Sequence, residues 1–370
     1  MVTIIVFLLI LTILVLIHEL GHFLVAKKLG IKVEEFGFGF PPRVFGIRRG
    51  ETLYSINLLP IGGFVKLYGE DEAGRGSLKT TNYKLKTDLS RAFFARPIWQ
   101  RALVVVAGVL MNFILAVVII SYLYAVPGVP EVSDKVLISN IVSGSPAETS
   151  GLKKGEVIVS IDGKKVVNPT EVVSETRKHL GEEILFEVED SKTKQARKVA
   201  VIPRRDFPKD QGPVGISIAQ DVIVKKYPWY QAPFLGTKEV IKNSILIVAG
   251  LGTVLSEIFT KGQVPEGVAG PVGIAQVTGT FVQSGLNAVL AFVALLSLNL
   301  AVLNILPIPA LDGGRFFFIL IELVTRRKVH PRFEAYAHAV GIAVLLALIA
   351  LITIHDLSRL IRGVPIIPIQ

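Results

Sequence analysis

The chain contains no cysteine, which excludes disulfides and leaves no thiolate for a metal, so any metal site must be built from histidine and carboxylate. Charged side chains make up only 19% of the residues, below the roughly 25% of an average soluble domain, while apolar ones reach 51%. That balance argues against two ordinary globular domains and predicts an integral membrane protein carrying one soluble module. The formal net charge is +10, yet the basic residues are spread over the 27–96 loop and the outer module, without the interleaved aromatics of nucleic-acid binders. Nucleic acid is therefore not expected as a partner, and the charge is read as solubility and attraction to anionic lipid of the bilayer. The first apolar run also lacks a basic n-region and a small-residue cleavage pattern, so it is expected to stay as a membrane span rather than leave as a signal peptide.

That run covers residues 2–26, polar only at Thr3, Thr12 and the 18–22 segment, and is long enough to cross a bilayer at about 1.5 Å per residue. Lys27 and Lys28 follow it and mark a cytoplasmic end. A second run, 102–126, is introduced by Arg96 and Arg101 and closed by Pro127 and Gly128, returning the chain to the outside. A third, 286–306, is broken by Pro307 and Pro309 and resumes over 316–323 before the basic Arg326, Arg327 and Lys328; a fourth covers 335–354. The expected fold is an α-helical polytopic membrane protein with about four transmembrane helices and both termini extracytoplasmic. Residues 237–260, interrupted by Lys238, Glu239, Lys242, Asn243 and Glu257, are expected to lie at the interface as an amphipathic helix, since a fifth span would invert the basic 326–328 segment.

Within the first span stands His18-Glu19-Leu20-Gly21-His22. On a helix, positions 18 and 22 project from nearly one face, one turn apart, as two ligands of a single ion require. Glu19 lies about 100° around, off the metal but near enough to take a proton from water activated there, the division of labour in HExxH hydrolases. Two histidines and a glutamate in hydrocarbon cost several kcal/mol unless paired or metal-bound, so they are functional candidates by their position alone. A catalytic zinc usually takes three protein ligands and leaves one position open. Asp312 is the leading candidate for the third, because it lies where Pro307 and Pro309 stop the third span and Gly313 and Gly314 are expected to let the backbone bend. The competing reading makes Asp312 the N-cap of the resumed helix. Asn304 is read either as a hydrogen-bonding group for substrate backbone or oxyanion, or as a polar contact between helices. Asn112 and Asn299 carry the same two readings with the helix contact favoured, and His330, His338 and His355 are taken as interfacial residues.

Between 136 and 220 the pattern changes to short β-branched runs at 136–142, 157–161, 184–188 and 199–202, with a hairpin turn at Asp162-Gly163 and a helix over 169–180. Segment 143–156 resembles PDZ domains of bacterial proteases, which hold peptide C-termini by strand addition; a structural spacer is the alternative. In the cytoplasmic loop, alternating Gly and Phe from Phe36 to Phe40, then β-like stretches around Arg49-Gly50, predict a membrane-associated β-hairpin whose edge could pair with an unwound substrate, while 73–92 is polar and expected to be mobile. The expected divisions are 1–126 (the HExxH helix, the loop and the second span), 127–222 (one extracytoplasmic PDZ-like α+β domain) and 223–370 (the interfacial helix and the last two spans).

In this order, the HELGH group, the Gly-Phe loop, the segment from Pro97 to Arg101 leading into residues 107–112, the PDZ-like signature, residues 270–274 and residues 304–315 resemble the site-2 protease family. The likeness is strongest to bacterial regulator-of-sigma-E (RseP-like) zinc metalloproteases and covers nearly the whole chain. Val109 stands where the family often has proline, and one PDZ signature is visible where the best-known members have two. The resemblance implies His18, His22 and Asp312 as Zn2+ ligands, Glu19 as catalytic base and Asn304 beside bound substrate. It also implies a multi-pass protein of the bacterial inner (cytoplasmic) membrane. Its substrates would be single-span membrane proteins such as anti-sigma factors or signal-peptide remnants, already trimmed by a site-1 protease. Two other readings stay open on the residues alone: a non-enzymatic PDZ scaffold binding peptide C-termini, and a metal transporter, for which inverted repeats are not apparent.

Overall fold

The computed structural model describes residues 2–70, 89–191, 193–208, 211–262, 265 and 268–363, so most of the 73–92 stretch and the C-terminal end of the chain lie outside the described residues. Two compact units are present, one formed by Met1–Pro127 with Tyr227–Gln370 and the other by Gly128–Lys226.

The first unit begins with α1 (Val2–Lys28), apolar on all sides and ended by Lys27 and Lys28, cations suited to a helix C-terminus, with Gly30 beyond at φ +74°. Strands β1 (Val33–Arg49) and β2 (Thr52–Leu67) form the expected hairpin, turning at Gly50 with φ +64°. The hairpin is folded over on itself: β1 residues from Glu35 to Phe38 pair with the 63–66 segment of β2 and also with Leu53, Tyr54, Ser55 and Ile56. The Gly-Phe alternation has a packing reason, because Gly37 stands opposite Phe64 and a Cβ there would collide with the Phe64 ring. The turn is tied down by Glu51, which accepts from Lys27 at 2.9 Å and from Arg91 at 2.9 Å. These two cations, Arg91 foremost, hold the Glu51 carboxyl below its ordinary range. The chain then enters α2 (Ile98–Ala125) through Pro97. Helices α1 and α2 approach closely at Gly21, where a Cβ would run into the Ala107 carbonyl.

The second unit holds an antiparallel sheet of β3 (Val129–Ile141), β4 (Glu156–Ile161), β5 (Lys164–Lys165), β6 (Ile184–Asp190), β7 (Ala196–Val201) and β8 (Ile216–Lys225), in the order β7-β6-β4-β3-β8 with β5 paired to β4. Two helices accompany it, α3 (Pro146–Thr149) and α4 (Pro169–Lys178). The Asp162-Gly163 turn forms with φ +49° and +77°, the left-handed pair a tight hairpin needs. Helix α4 starts as its sequence dictates: the Asn168 side chain accepts from the Glu171 N–H at 2.9 Å, and Pro169 fills the first helical position. The core is apolar throughout, built on Val136, Ile138, Ile158, Ile161, Ile184 and Phe186, all essentially inaccessible. Strand β8 falls mostly beyond the β runs expected from sequence, and β3 begins seven residues before the expected 136.

Back in the first unit follow α5 (Ala232–Lys261), α6 (Pro271–Gln283), α7 (Leu286–Ile305), α8 (Asp312–Thr325) and α9 (Pro331–Ile361). Helix α7 packs on α1 through Ile10, Leu14, Phe292 and Leu296. It also shares a cluster of Ala116, Val240, Leu298 and Val302 with α2 and α5. Buried Ser297 donates to the Asn112 carbonyl at 2.8 Å, fixing the depth at which α7 crosses α2. An ion pair between Arg101 and Glu322 at 2.8 Å, both side chains largely shielded, ties α8 to α2. Among the described residues, five helices are long and apolar enough to cross a membrane, one more than expected from the sequence; the addition is Ala232–Ile258, the stretch assigned there to the interface. Leu9, Ile13, Leu24, Leu103, Leu110, Ile114 and Val118 stay exposed on α1 and α2, an apolar exterior suited to lipid.

Candidate active site

Three side chains from two distant parts of the chain meet beneath α2. The Nε2 atoms of His18 and His22 lie 3.2 Å apart, and Asp312 Oδ2 sits 2.9 Å from the first and 3.3 Å from the second. Both imidazoles are buried, at 7% and 8% exposure. Ligands of a tetrahedral zinc stand about 3.3–3.4 Å from one another at bond lengths of about 2.0–2.1 Å, so the triangle has the dimensions of one face of such a site.

The outer nitrogens support the same use. His22 Nδ1 lies 2.8 Å from the Val104 carbonyl, which can only accept, so the ring carries its proton on Nδ1 and turns the Nε2 lone pair inward. His18 Nδ1 lies 3.4 Å from the Asn112 side-chain amide, fully buried, whose Oδ1 has no partner among the described residues. A half-turn of that amide brings the oxygen to the ring N–H, satisfies the orphan and frees His18 Nε2 as well. Gly108 makes room for both rings: a Cβ there would meet His22 Nε2 and His18 Cε1. The donor set, spacing and tautomers thus fit a zinc ion.

Asp312 opens α8, but Leu311 is the N-cap and makes no side-chain capping bond, so the reading of Asp312 as a cap is set aside. The expected bend at Gly313 and Gly314 is corrected too. The backbone turns at Ala310, with φ +87°, and the glycines lie in the first turn of α8. A Cβ on Gly313 would collide with the Leu306 carbonyl, and one on Gly314 with the Ile308 backbone, so their service is close approach of helix to loop.

Glu19, on the flank of α1, accepts from the Val65 N–H at 3.0 Å. It lines a cavity of about 330 Å³ together with His22, Val65, Val104, Asp312 and Arg315. The carboxylate is thereby aimed into the space beside the triad by the last segment of β2. Arg315 pairs with Glu70 at the same cavity, joining α8 to the chain just past β2. Asn304, at the end of α7, has Nδ2 3.5 Å from His18 Nε2. The geometry therefore gathers all five sequence candidates, His18, Glu19, His22, Asn304 and Asp312, around one point. Asn112, read mainly as a helix contact, does reach from α2 to His18 on α1, and His338, read as interfacial, has an Nδ1 that accepts from the Ala310 N–H at 2.9 Å. The Val104 carbonyl is backbone and gave no sequence signal; Asn112, a polar residue deep in an apolar span, did.

A family model described as peptidase family M50 matches residues 6–348. The chain belongs to peptidase family M50. The zinc metalloprotease RasP of Geobacillus kaustophilus is 31% identical over 94% of this chain and 95% of its own length. The regulator of sigma-W protease RasP of Bacillus subtilis is 30% identical over 97% and 99%. RasP of Shouchella clausii is 30% identical over 97% and 99%. The protein is thus an intramembrane zinc metallopeptidase of the site-2 type, and family membership sets aside the scaffold and transporter readings.

Proposed function

We propose that His18, His22 and Asp312 hold the zinc ion, that Glu19 is the catalytic base, and that the enzyme cuts membrane-spanning segments of other proteins. The observation that carries this reading is the convergence of the three ligand atoms within 4.8 Å of one another, beside a cavity that Glu19 shares. Zinc held there would supply Lewis-acid polarisation of a carbonyl and acidification of water. Glu19 takes the proton of the attacking water and returns it to the leaving amide nitrogen, its carboxylate oriented by the Val65 N–H. Asn304, whose Nδ2 lies 3.5 Å from His18 Nε2, offers its amide to the substrate backbone or developing oxyanion. A helical carbonyl is shielded from attack, so the substrate must unwind; the 64–67 segment of β2, which lines the cavity, is the strand on which an extended peptide pairs.

Four spans fit the helix directions better than five. Ile10 and Leu14 pack with Phe292 and Leu296 and, further along both helices, His18 meets Asn304, so α1 and α7 run the same way. Gly236 abuts Ser121 while Val240 joins Ala116, so α5 runs opposite to α2 and thus parallel to α7. By Gly279, beside Thr3, the chain is back at the N-terminal end of α1. A full crossing by α5 would leave only the short stretch between Gly262 and Gly270 to return the chain across about 30 Å of hydrocarbon. We place α5 partly inserted from the outer side, the ends near Lys27, Arg96, Arg101 and Arg326 in the cytoplasm, and both termini with the β unit outside. The protein then lies in a bacterial cytoplasmic membrane.

The β unit is assigned a PDZ-like role. Strand β8 is an edge of its sheet and has α4 beside it, the arrangement that accepts a peptide strand. Substrates are single-span proteins pre-trimmed by a site-1 protease, with anti-sigma factors the leading class because the Bacillus subtilis relative is named for sigma-W regulation. Co-expression with a trimmed single-span substrate tests the assignment: Glu19→Gln is expected to keep zinc and slow cleavage about 10²–10⁴-fold. Undiminished cleavage would overturn the role of Glu19.

A further inference from the structure

We propose that His338, on α9, is a positioning residue for the third metal ligand: it fixes the turn that aims the Asp312 carboxylate. The inference rests on the reading of Asp312 as a ligand.

Ala310 adopts φ +87° without being glycine, a strained conformation that persists only where its surroundings hold it. Helix α9 provides that hold at two points three residues apart, hence on one face. His338 Nδ1 accepts from the Ala310 N–H at 2.9 Å. At Gly341 the helix backbone comes so close to the loop that a Cβ would collide with the Pro309 carbonyl. Asp312 follows two residues later, and the Leu311 N–H closes the turn on the Ile308 carbonyl at 3.2 Å. The path from the imidazole to the ligand is thus two residues of a turn held at two points by one face of α9.

The chemistry of the ring points the same way. A backbone N–H only donates, so Nδ1 is the acceptor and the neutral ring carries its proton on Nε2. Nε2 is buried with no hydrogen-bond partner among the described residues, the Glu334 carboxylate standing 4.0 Å away. The ring also stands in tilted contact with Phe318 of α8, centroids 5.8 Å apart, so it touches the helix that Asp312 begins. A histidine in an apolar span is costly, and this one commits its acceptor to a single backbone amide beside the metal ligand. Without that acceptor the Ala310 turn relaxes toward negative φ, and the carboxylate leaves the triangle with His18 and His22.

The test is zinc affinity by chelator competition, with the visible spectrum after cobalt substitution, on the purified full-length protein. His338→Asn puts an amide oxygen where Nδ1 stands and is expected to bind zinc within about threefold of the parent, while His338→Gln, equally polar but with its oxygen displaced outward, and His338→Leu lose about tenfold or more. The cobalt spectrum should change in the Gln and Leu forms and not in Asn. If the Leu form fails to fold, the Asn–Gln difference decides. Equal affinities and spectra for Asn and Gln overturn the positioning role. Asp312→Asn run alongside separates the two claims: zinc binding undiminished in that variant refutes the ligand assignment itself, whereas its loss together with unchanged His338 variants refutes only the present inference.

Discussion

The two units solve the burial problem in opposite ways. The β unit hides Phe186, Ile138, Ile158 and Ile184 and pairs the few ions it shields, the mostly buried Glu156 and Glu175 being met by Arg197 and by Lys164 and Lys178. The membrane unit turns leucine and isoleucine outward and buries His18, His22, Asn112 and Ser297 where α1, α2 and α7 cross. In water an apolar core is the source of stability, and its residues report only a fold. In lipid the apolar surface carries little information, and each buried polar group costs enough that its retention reports a task. Function is therefore written in the interior of the first unit, and the second unit is expected to modulate rather than perform the chemistry.

Four substitutions would break or sharpen this contrast. The largest effect on the metal site is expected from Gly108→Ala, whose methyl displaces His22 Nε2 while adding only an apolar atom to an apolar helix: zinc affinity should fall toward the upper end of about 10–100-fold, measured by chelator competition. Asn112→Leu, which removes the partner of His18 Nδ1, should cost about tenfold by the same measurement with helix content unchanged. Phe186→Ala should destabilise the β unit by about 3–5 kcal/mol, seen as an earlier unfolding transition of that unit, and leave zinc content at the parent level. Loss of zinc in that variant would mean the division of labour is wrong.

The smallest effect is at Glu175. The Lys164 and Lys178 ammonium groups hold its carboxyl down to about 2 from an ordinary 4.5. A carboxyl lowered on folding stabilises above its unfolded value and loses that contribution as pH falls toward its folded one. The thermal-midpoint difference between parent and Glu175→Gln should therefore be present at neutral pH and vanish near pH 2. It should be small even at its maximum, because the two lysines are mostly exposed.

Much of the candidate site was legible because the residues proposed as ligands follow periodic rules. His18 and His22 need only helical spacing to share a face, and Asp312 announced itself through the prolines that halt α7. What the sequence hid were contacts with no periodicity. The Val104 carbonyl belongs to every residue type alike, His338 is separated from its partner loop by the whole of α8, and the turn at Ala310 falls on a residue with no preference for positive φ, so the bend was assigned to the neighbouring glycines. In the β unit the alternating runs gave β4, β6 and β7 closely. Strand β8 was obscured because its pattern shifts at Gln220-Asp221, where the side chains turn to Ser133 and Val167 rather than follow the sheet face. The span count was ambiguous for a physical reason: α5 carries enough charge to suit an interface and enough length to suit a crossing.

The convergence of His18, His22 and Asp312 on one ion is tested most directly by zinc K-edge absorption on the purified full-length protein. The account predicts one zinc per chain with two imidazoles and oxygen ligands at about 2.0–2.1 Å, and loss of stoichiometric zinc in Asp312→Asn. A full complement of zinc with an unaltered coordination shell in that variant would contradict it.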